Sequence, residues 1–523
     1  MNEMINPQFS LEGSASRKNG VKRLIFALFS IILQVVLILI NVGYLAAYAE
    51  WIAIITRGIA ILLILWIYNK DTTSAMKMPW LILIMAAPIL GTTLYILIGQ
   101  SHSTKKMRER YEEVDRILFP MLPENRDVQG ELEKQDRRAA NIAGYLNKTA
   151  HYPTYRNTDV EYYDDAAVGL EAQIRELRKA EKFIFMEYHA IENAGSWAKV
   201  ERVLVERARA GVDVRVFYDD MGSIGFINND FVKLMESKGI RCRVFNPFTP
   251  GLNIFLNHRD HRKITVIDGK VGFTGGYNMA NEYFHVTEPY GFWKDTGVRL
   301  TGDAVKSLTV TFLEMWNAIK GDDENDTDFE QYLPDVPYQA QEEGFVIPYA
   351  DSPIDGEQVG ENVYISIAEY AKDYVWFVTP YLILTDEMIH ALGLASKRGV
   401  DVRVITPGIP DKKMVYSITR SYYHSLVRNG VRIYEFTPGF CHCKMSIADD
   451  WVATCGTINL DYRSLYHHFE NGCLFCGCNI TGDIRKDFES MMAQSREVTQ
   501  EYMAPEAGRK LLDLILRLVA PLL

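Results

Sequence analysis

Two stretches of the chain carry the same residues at the same spacing. The first, HRDHRKITVIDGKVGFTGGYN (His258 to Asn278), holds His261, Lys263 and Asp268, then Gly275, Gly276 and Asn278. The second, HCKMSIADDWVATCGTIN, holds His442, Lys444 and Asp449, then Gly456, Thr457 and Asn459. One H-x-K-x4-D-x6-G-[GST]-x-N could arise by chance, but two in one chain point to a duplicated unit. The pair predicts a single active site built from two halves.

The flanking sequence repeats with the motif. KFIFMEYHAI (182–191) reads as a strand and corresponds to DYVWFVTPYL (373–382). GVDVRVFYDD (211–220) corresponds to GVDVRVITPG (399–408), and GIRCRVFNPF (239–248) to GVRIYEFTPG (430–439). Helical patterns at 196–210 and 229–238 fall between the strands, an alternation that predicts α/β units. Each motif reads as a hairpin, the first with its turn at Asp268-Gly269. The expectation is two tandem α/β domains, 151–330 and 331–523, offset by roughly 180–190 residues and seamed by KGDDENDTDFEQYLPDVP (320–337).

Ahead of the repeats, residues 1–20 are polar and expected to be flexible, and three apolar segments follow at about 23–48, 51–68 and 79–99. The first is long enough to span a bilayer, which takes roughly 20 residues. Trp51, Trp66 and Trp80 near segment ends fit interface anchoring. The third contains Pro88 and Gly91, so a kink is expected. The reading is a membrane region over 21–100 with two or three transmembrane helices, then a charged helical linker over 101–150. Lys105, Lys106, Arg108, Arg110 and Arg116 place the catalytic part on the cytoplasmic side. Arg17, Lys18, Lys22 and Arg23 ask for the N-terminus inside as well. Three full spans cannot satisfy both clusters. The tail GRKLLDLILRLVAPLL (508–523) fits either an interfacial helix or one that closes the core.

At 523 residues with a formal net charge of −11, the chain exceeds one ordinary domain and argues against nucleic acid as partner. The seven cysteines imply no disulfide scaffold and are read as reduced thiols.

Strand parity sets which motif residues act together. Residues at i and i+2 share a face, so His261 points with Lys263 and His442 with Lys444. The motif as a unit puts His261, Lys263, Asp268, His442, Lys444 and Asp449 in the candidate catalytic set. The odd offset and turn position of Asp268 and Asp449 argue that these two brace the hairpin. Asn278 and Asn459, each beside a small residue, are candidate phosphate donors. Two His, two Lys and two Asn converging make a phosphate site: Lys and Asn offset charge on the phosphoryl oxygens, one imidazole attacks, and the other moves the proton. This chemistry requires no metal or cofactor. Aligning FWKDTGVRL (292–300) with HFENGCLF (468–475) matches Asp295 with Glu470, and these are expected to orient the histidines.

The doubled motif resembles the phospholipase D superfamily. MPWLILIMAAPILGTTLYILIG, GTINLDYRSLYHHFENG and the closing RLVAPLL are similar to bacterial cardiolipin synthases, and the likeness covers about 51–523. Thr457, where many members carry Ser, and Cys443 between His442 and Lys444 are mild departures. The resemblance implies that a histidine attacks one phosphatidylglycerol, releases glycerol, and passes the phosphatidyl group to a second phosphatidylglycerol. It implies membrane lipids as partners; oligomeric state is open. A phosphatidylserine synthase, a hydrolytic phospholipase D or a membrane-tethered nuclease are the alternatives. Among weaker signals, Glu187 and Arg463 could reach the pocket or serve structure, and Cys473, Cys476 and Cys478 lack a partner cluster for metal.

Overall fold

The computed structural model describes Val36 and residues 50–99, 105–228, 230–247, 258–320, 325–335, 337–504 and 511–522. Apart from Val36, the first apolar segment lies outside these, as do the basic residues at its start and the polar stretch 1–20.

The second apolar segment forms a helix, Glu50–Tyr68. The third is not one kinked helix but belongs to two, Ser74–Ala86 and Pro88–Ile98. Pro88 lacks the N–H that would continue the first, so it heads the second. A Cβ at Gly91 would come within 2.6 Å of the Ile84 backbone, so glycine lets the two helices touch. Among the described residues, no helix is long and apolar enough to cross a membrane. Ile55, Leu62, Leu65 and Met85 nevertheless expose apolar surface on this region. Helices Lys105–Leu118, Arg126–Gln135 and Arg137–Lys148 lead to the repeats.

The first sheet holds β1 (Thr158–Tyr163), β2 (Phe183–Tyr188), β3 (Asp213–Asp219), β4 (Arg241–Phe245), β6 (Lys263–Ile267), β7 (Val271–Gly275) and β8 (Gly297–Gly302), in the order β1-β8-β7-β6-β2-β3-β4. The second holds β9 (Phe345–Asp351), β10 (Tyr374–Val378), β12 (Asp401–Pro407), β13 (Arg432–Phe436), β14 (Met445–Ala448), β15 (Val452–Gly456), β17 (His468–Cys476) and β18 (Ser495–Glu497). Its order, β9-β17-β15-β14-β10-β12-β13-β18, repeats the first with one strand added. A short pair, β11 (Leu382–Ile383) and β16 (Leu460–Asp461), lies apart. In each sheet β2-β3-β4 or β10-β12-β13 run parallel, and the motif hairpin joins antiparallel. Central strands such as β2 and β6 are buried on both faces, as their Val, Ile and Phe content requires.

The halves do not sit side by side as separate bodies. β5 (Arg259–Asp260) pairs with the start of β17 in the other sheet. The last helix of the first half, Val305–Ile319, packs on β9, and its counterpart Ile480–Ala493 packs on β1. One hydrophobic core runs through both, from Phe185, Phe312 and Trp316 to Phe469, Met445 and Phe488. Helix Leu511–Val519 lies against both Ser74–Ala86 and Lys413–Arg428, and Arg517 donates to the Ser421 carbonyl at 2.8 Å. The tail therefore links the N-terminal helices to the second half.

Candidate active site

The motif hairpins have identical local logic. Asp268 and Gly269 take left-handed φ of 53° and 66°, which turns β6 into β7. The Asp268 carboxylate accepts from the backbone N–H groups of Glu181, Lys182 and Phe183 at 2.8, 2.7 and 2.9 Å. Asp449 accepts from Lys372, Asp373 and Tyr374 at 2.7, 2.9 and 2.9 Å. Each aspartate thus ties its turn to the start of the neighbouring strand. Both stand about 16 Å along the strand from the motif lysine, at 3.3 Å per residue. Asp268 and Asp449 therefore leave the candidate catalytic set: strand geometry carries them to the end remote from the histidines.

The histidines are oriented crosswise. His261 Nδ1, from the first half, lies 2.9 Å from both oxygens of Glu470 in the second. His442 Nδ1, from the second half, lies 2.6 Å from Asp295 Oδ2 in the first. The backbone repeats the exchange: His261 N–H donates to the Phe469 carbonyl and His442 N–H to the Lys294 carbonyl, both at 2.8 Å. Each carboxylate accepts from Nδ1–H, the tautomer that leaves Nε2 unprotonated. Thr457 and Ser464 hydroxyls also donate to Glu470. At the position equivalent to Thr457, Gly276 leaves room for the shorter carboxylate, because a Cβ there would collide with Asp295.

The lysines stand over the same ground. Lys444 Nζ stands 2.7 Å from His442 Nδ1 and 3.0 Å from its Nε2, and Lys263 Nζ donates to the His261 carbonyl at 2.5 Å. Burial, Lys263 and Lys444 push the His261 imidazole well below its usual range. Burial and Lys444 push His442 down to about 4, against the pull of Asp295. Burial takes Lys263 down to about 7, with Glu470 opposing the fall and Lys444 adding to it. A cluster that disfavours its own cations in this way favours an anion, which would restore the charge of each. The two halves are coupled electrostatically: His261 feels Lys444 and His442, and His442 feels Lys263. Asn278 donates to Tyr283 Oη at 2.9 Å and accepts from the Ala190 N–H at 3.2 Å. Asn459 Oδ1 is buried without a hydrogen bond.

Several residues at the site carried no sequence signal. Arg262 is fully buried between Glu187 at 2.6 Å, Asp260 at 3.1 Å and Glu314 at 3.5 Å. Glu187 is therefore a buried ion-pair partner and no pocket residue. The equivalent Cys443 sits in the apolar core instead. The cleft is lopsided: Tyr283, Trp293 and Phe440 surround His442 at ring distances of 5.3, 5.6 and 5.9 Å. His189 and His468 flank His261 at 4.9 and 5.5 Å. Arg463 feels Asp461 most strongly after its own burial. All seven cysteines are buried and free. Among the described residues, the only trio spaced for a metal is His261, His468 and Glu470, and it lies within this cluster.

A family model described as "Cardiolipin synthase, PLD-like domain" matches residues 173–316 and 364–492. Another, "Phospholipase D-nuclease N-terminal", matches 58–100. A cardiolipin synthase of Oceanobacillus iheyensis is 31% identical over 472 residues, covering 88% of this chain and 96% of its own. One from Halalkalibacterium halodurans is 29% identical over 465 residues, covering 88% and 91%. An uncharacterized protein of Streptococcus mutans is 43% identical over 461 residues, covering 88% and 99%. Among solved structures, phosphatidylserine synthase from Haemophilus influenzae superposes with a TM-score of 0.57 at 14% identity, over 74% of this chain and 98% of that one, a likeness of fold.

Proposed function

The chain belongs to the cardiolipin synthase family of phospholipase D-like proteins, and from that premise we propose that it joins two phosphatidylglycerol molecules into cardiolipin and glycerol. The observation that carries this reading is the crosswise clamp, Glu470 on His261 and Asp295 on His442. In this reading the two Nε2 atoms share one phosphate.

The proposed step is a double displacement. His261 Nε2 attacks phosphorus as the neutral imidazole that its depressed pKa favours. The phosphorus–oxygen bond to glycerol breaks, and the leaving oxygen takes the proton held between His442 Nε2 and Lys444 Nζ. The primary hydroxyl of a second phosphatidylglycerol then gives its proton to His442 and attacks phosphorus. The phosphorus–nitrogen bond breaks, releasing cardiolipin and neutral His261. Lys263, Lys444, Asn278 and Asn459 offset charge on the equatorial oxygens as it develops. His261 is assigned the attack because Lys444 Nζ lies against both ring nitrogens of its partner, His442. The apolar N-terminal region, which matches the family's N-terminal model, anchors the protein at the bilayer that supplies both lipids. The spans read in the sequence and the cytoplasmic placement of the catalytic part belong to this proposal.

Mass spectrometry of products from purified protein in phosphatidylglycerol vesicles tests it. Cardiolipin and glycerol should appear in equal amounts, with an acid-labile phosphatidyl group trapped on His261 in a single turnover. Phosphatidic acid and glycerol alone would replace the synthase by a hydrolase.

A further inference from the structure

A cavity of about 870 Å³ opens on the other side of the motif strand from the histidines, between helix Lys105–Leu118, helix Val305–Ile319 and the second half. Five acids line it; Glu112 and Glu124 pair with Arg108 and Arg126, and the other three are Asp115, Glu314 and Asp355. Glu314 is only 2% exposed, and its Oε2 carries no hydrogen bond, its ion-pair contact being Arg262 at 3.5 Å. Asp115 Oδ1 is likewise buried without a hydrogen bond. Burial and Glu314 push Asp115 up to about 11, and burial takes Asp355 up to about 6. Burial beside Glu314 thus favours the protonated form of Asp115. Two guanidiniums also line the cavity, Arg116 and Arg126, and Arg126 is engaged by Glu124 at 2.7 Å.

The remaining wall is aromatic. Tyr111, Phe119, His151 and Tyr152 line the cavity, with Phe119 set edge-on to Tyr152 at 5.3 Å and tilted to His151 at 6.0 Å. The three acids are not among the groups of the described residues spaced closely enough to share one metal ion. Separate carboxylates and aromatic faces around several hundred cubic ångströms suit a bulky, weakly hydrated cation.

We propose that this cavity is a second ligand site, specific for an alkylammonium group held by Glu314, Asp115 and Asp355 against the rings of Tyr111, Phe119 and Tyr152. The group comes from a free amine or from a zwitterionic lipid headgroup. Its occupant is felt at the catalytic strand through Arg262, which stands between His261 and Lys263 in sequence and shares Glu314 with the cavity. The site stands independently of the reaction proposed above.

Calorimetric titration of the full-length protein tests it, with choline and ethanolamine free in solution, and with phosphatidylethanolamine vesicles against phosphatidylglycerol vesicles. Saturable binding is expected, weakened about tenfold or more by Asp115→Asn or Glu314→Gln. Binding of the free amines assigns a soluble ligand; binding confined to phosphatidylethanolamine vesicles assigns a headgroup. Asp115→Asn keeps the shape of the protonated acid, so it decides the matter even where Glu314→Gln loses the fold. No saturable binding in any arm, or binding that Asp115→Asn leaves intact, overturns the site.

Discussion

The smallest unit of explanation is the imidazole with its carboxylate. In the proposed reaction Glu470 fixes the tautomer of His261 and Asp295 that of His442, so that neither acts on substrate yet both set which nitrogen reacts. Glu470→Gln and Asp295→Asn should each lower kcat by about 10²- to 10⁴-fold. The melting temperature should move little, because shape and neighbours persist. A loss confined to KM would assign the carboxylates to lipid binding. A second expectation concerns acid. His442 and His467 are depressed to about 4 by burial, and His189, His261 and His468 fall well below their ordinary value for the same leading reason. Above pH 6.5 these rings are neutral in folded and unfolded chains alike. Between about 6.5 and about 4 the unfolded chain binds protons that the folded one refuses, so stability falls as pH falls, by about 1.4 kcal/mol per pH unit for each such ring. Thermal melts of the substrate-free protein across that window should slope downward towards acid; a flat profile would mean that the rings are charged in the fold.

At the scale of elements, the motif hairpin explains why one pattern contains residues of two kinds. His and Lys open the strand and Asp closes it, so a single spacing carries both the reacting groups and the brace that sets the hairpin against β2 or β10. Asp268→Ala removes three charge-assisted bonds to backbone N–H groups, at a cost of about 2–4 kcal/mol. The unfolding midpoint should drop while kcat of the folded fraction stays within a few-fold of the parent; a collapse of kcat with an unchanged midpoint would return Asp268 to the chemistry. Parity along the strand made the sidedness of His, Lys and Asp legible before any coordinates. The break at Pro88 was legible as a kink, but the tight contact at Gly91 with Ile84 was not, because it depends on a neighbour brought in by folding.

At the scale of the whole molecule, the halves are functionally inseparable. Each histidine borrows its carboxylate from the other half, β5 joins β17, and one core spans both. Chains ending at 320 and beginning at 337 should be inactive apart. They should regain activity only when refolded or expressed together, as read by cardiolipin formation from phosphatidylglycerol. Activity in either piece alone would show that one half, or a pair of identical halves, can complete the clamp. The duplication also frees the two sides to differ: aromatic rings surround His442, imidazoles flank His261, and Arg262 is caged where Cys443 lies in oil.

What the sequence determined by itself was everything local or repeated: two α/β units, the motif hairpins, the sharing of a face by His and Lys, and the matching of Asp295 with Glu470. Those follow from strand periodicity and from spacing, which need no knowledge of what lies across the fold. Only the tertiary structure decided that the carboxylates cross over, that Arg262 is buried among Glu187, Asp260 and Glu314, and that an acidic, aromatic cavity lies behind the catalytic strand. Asp260 apart, which neighbours Arg262 in the chain, those are contacts between residues tens to hundreds of positions apart, and they are fixed by how two sheets and their covering helices share one core.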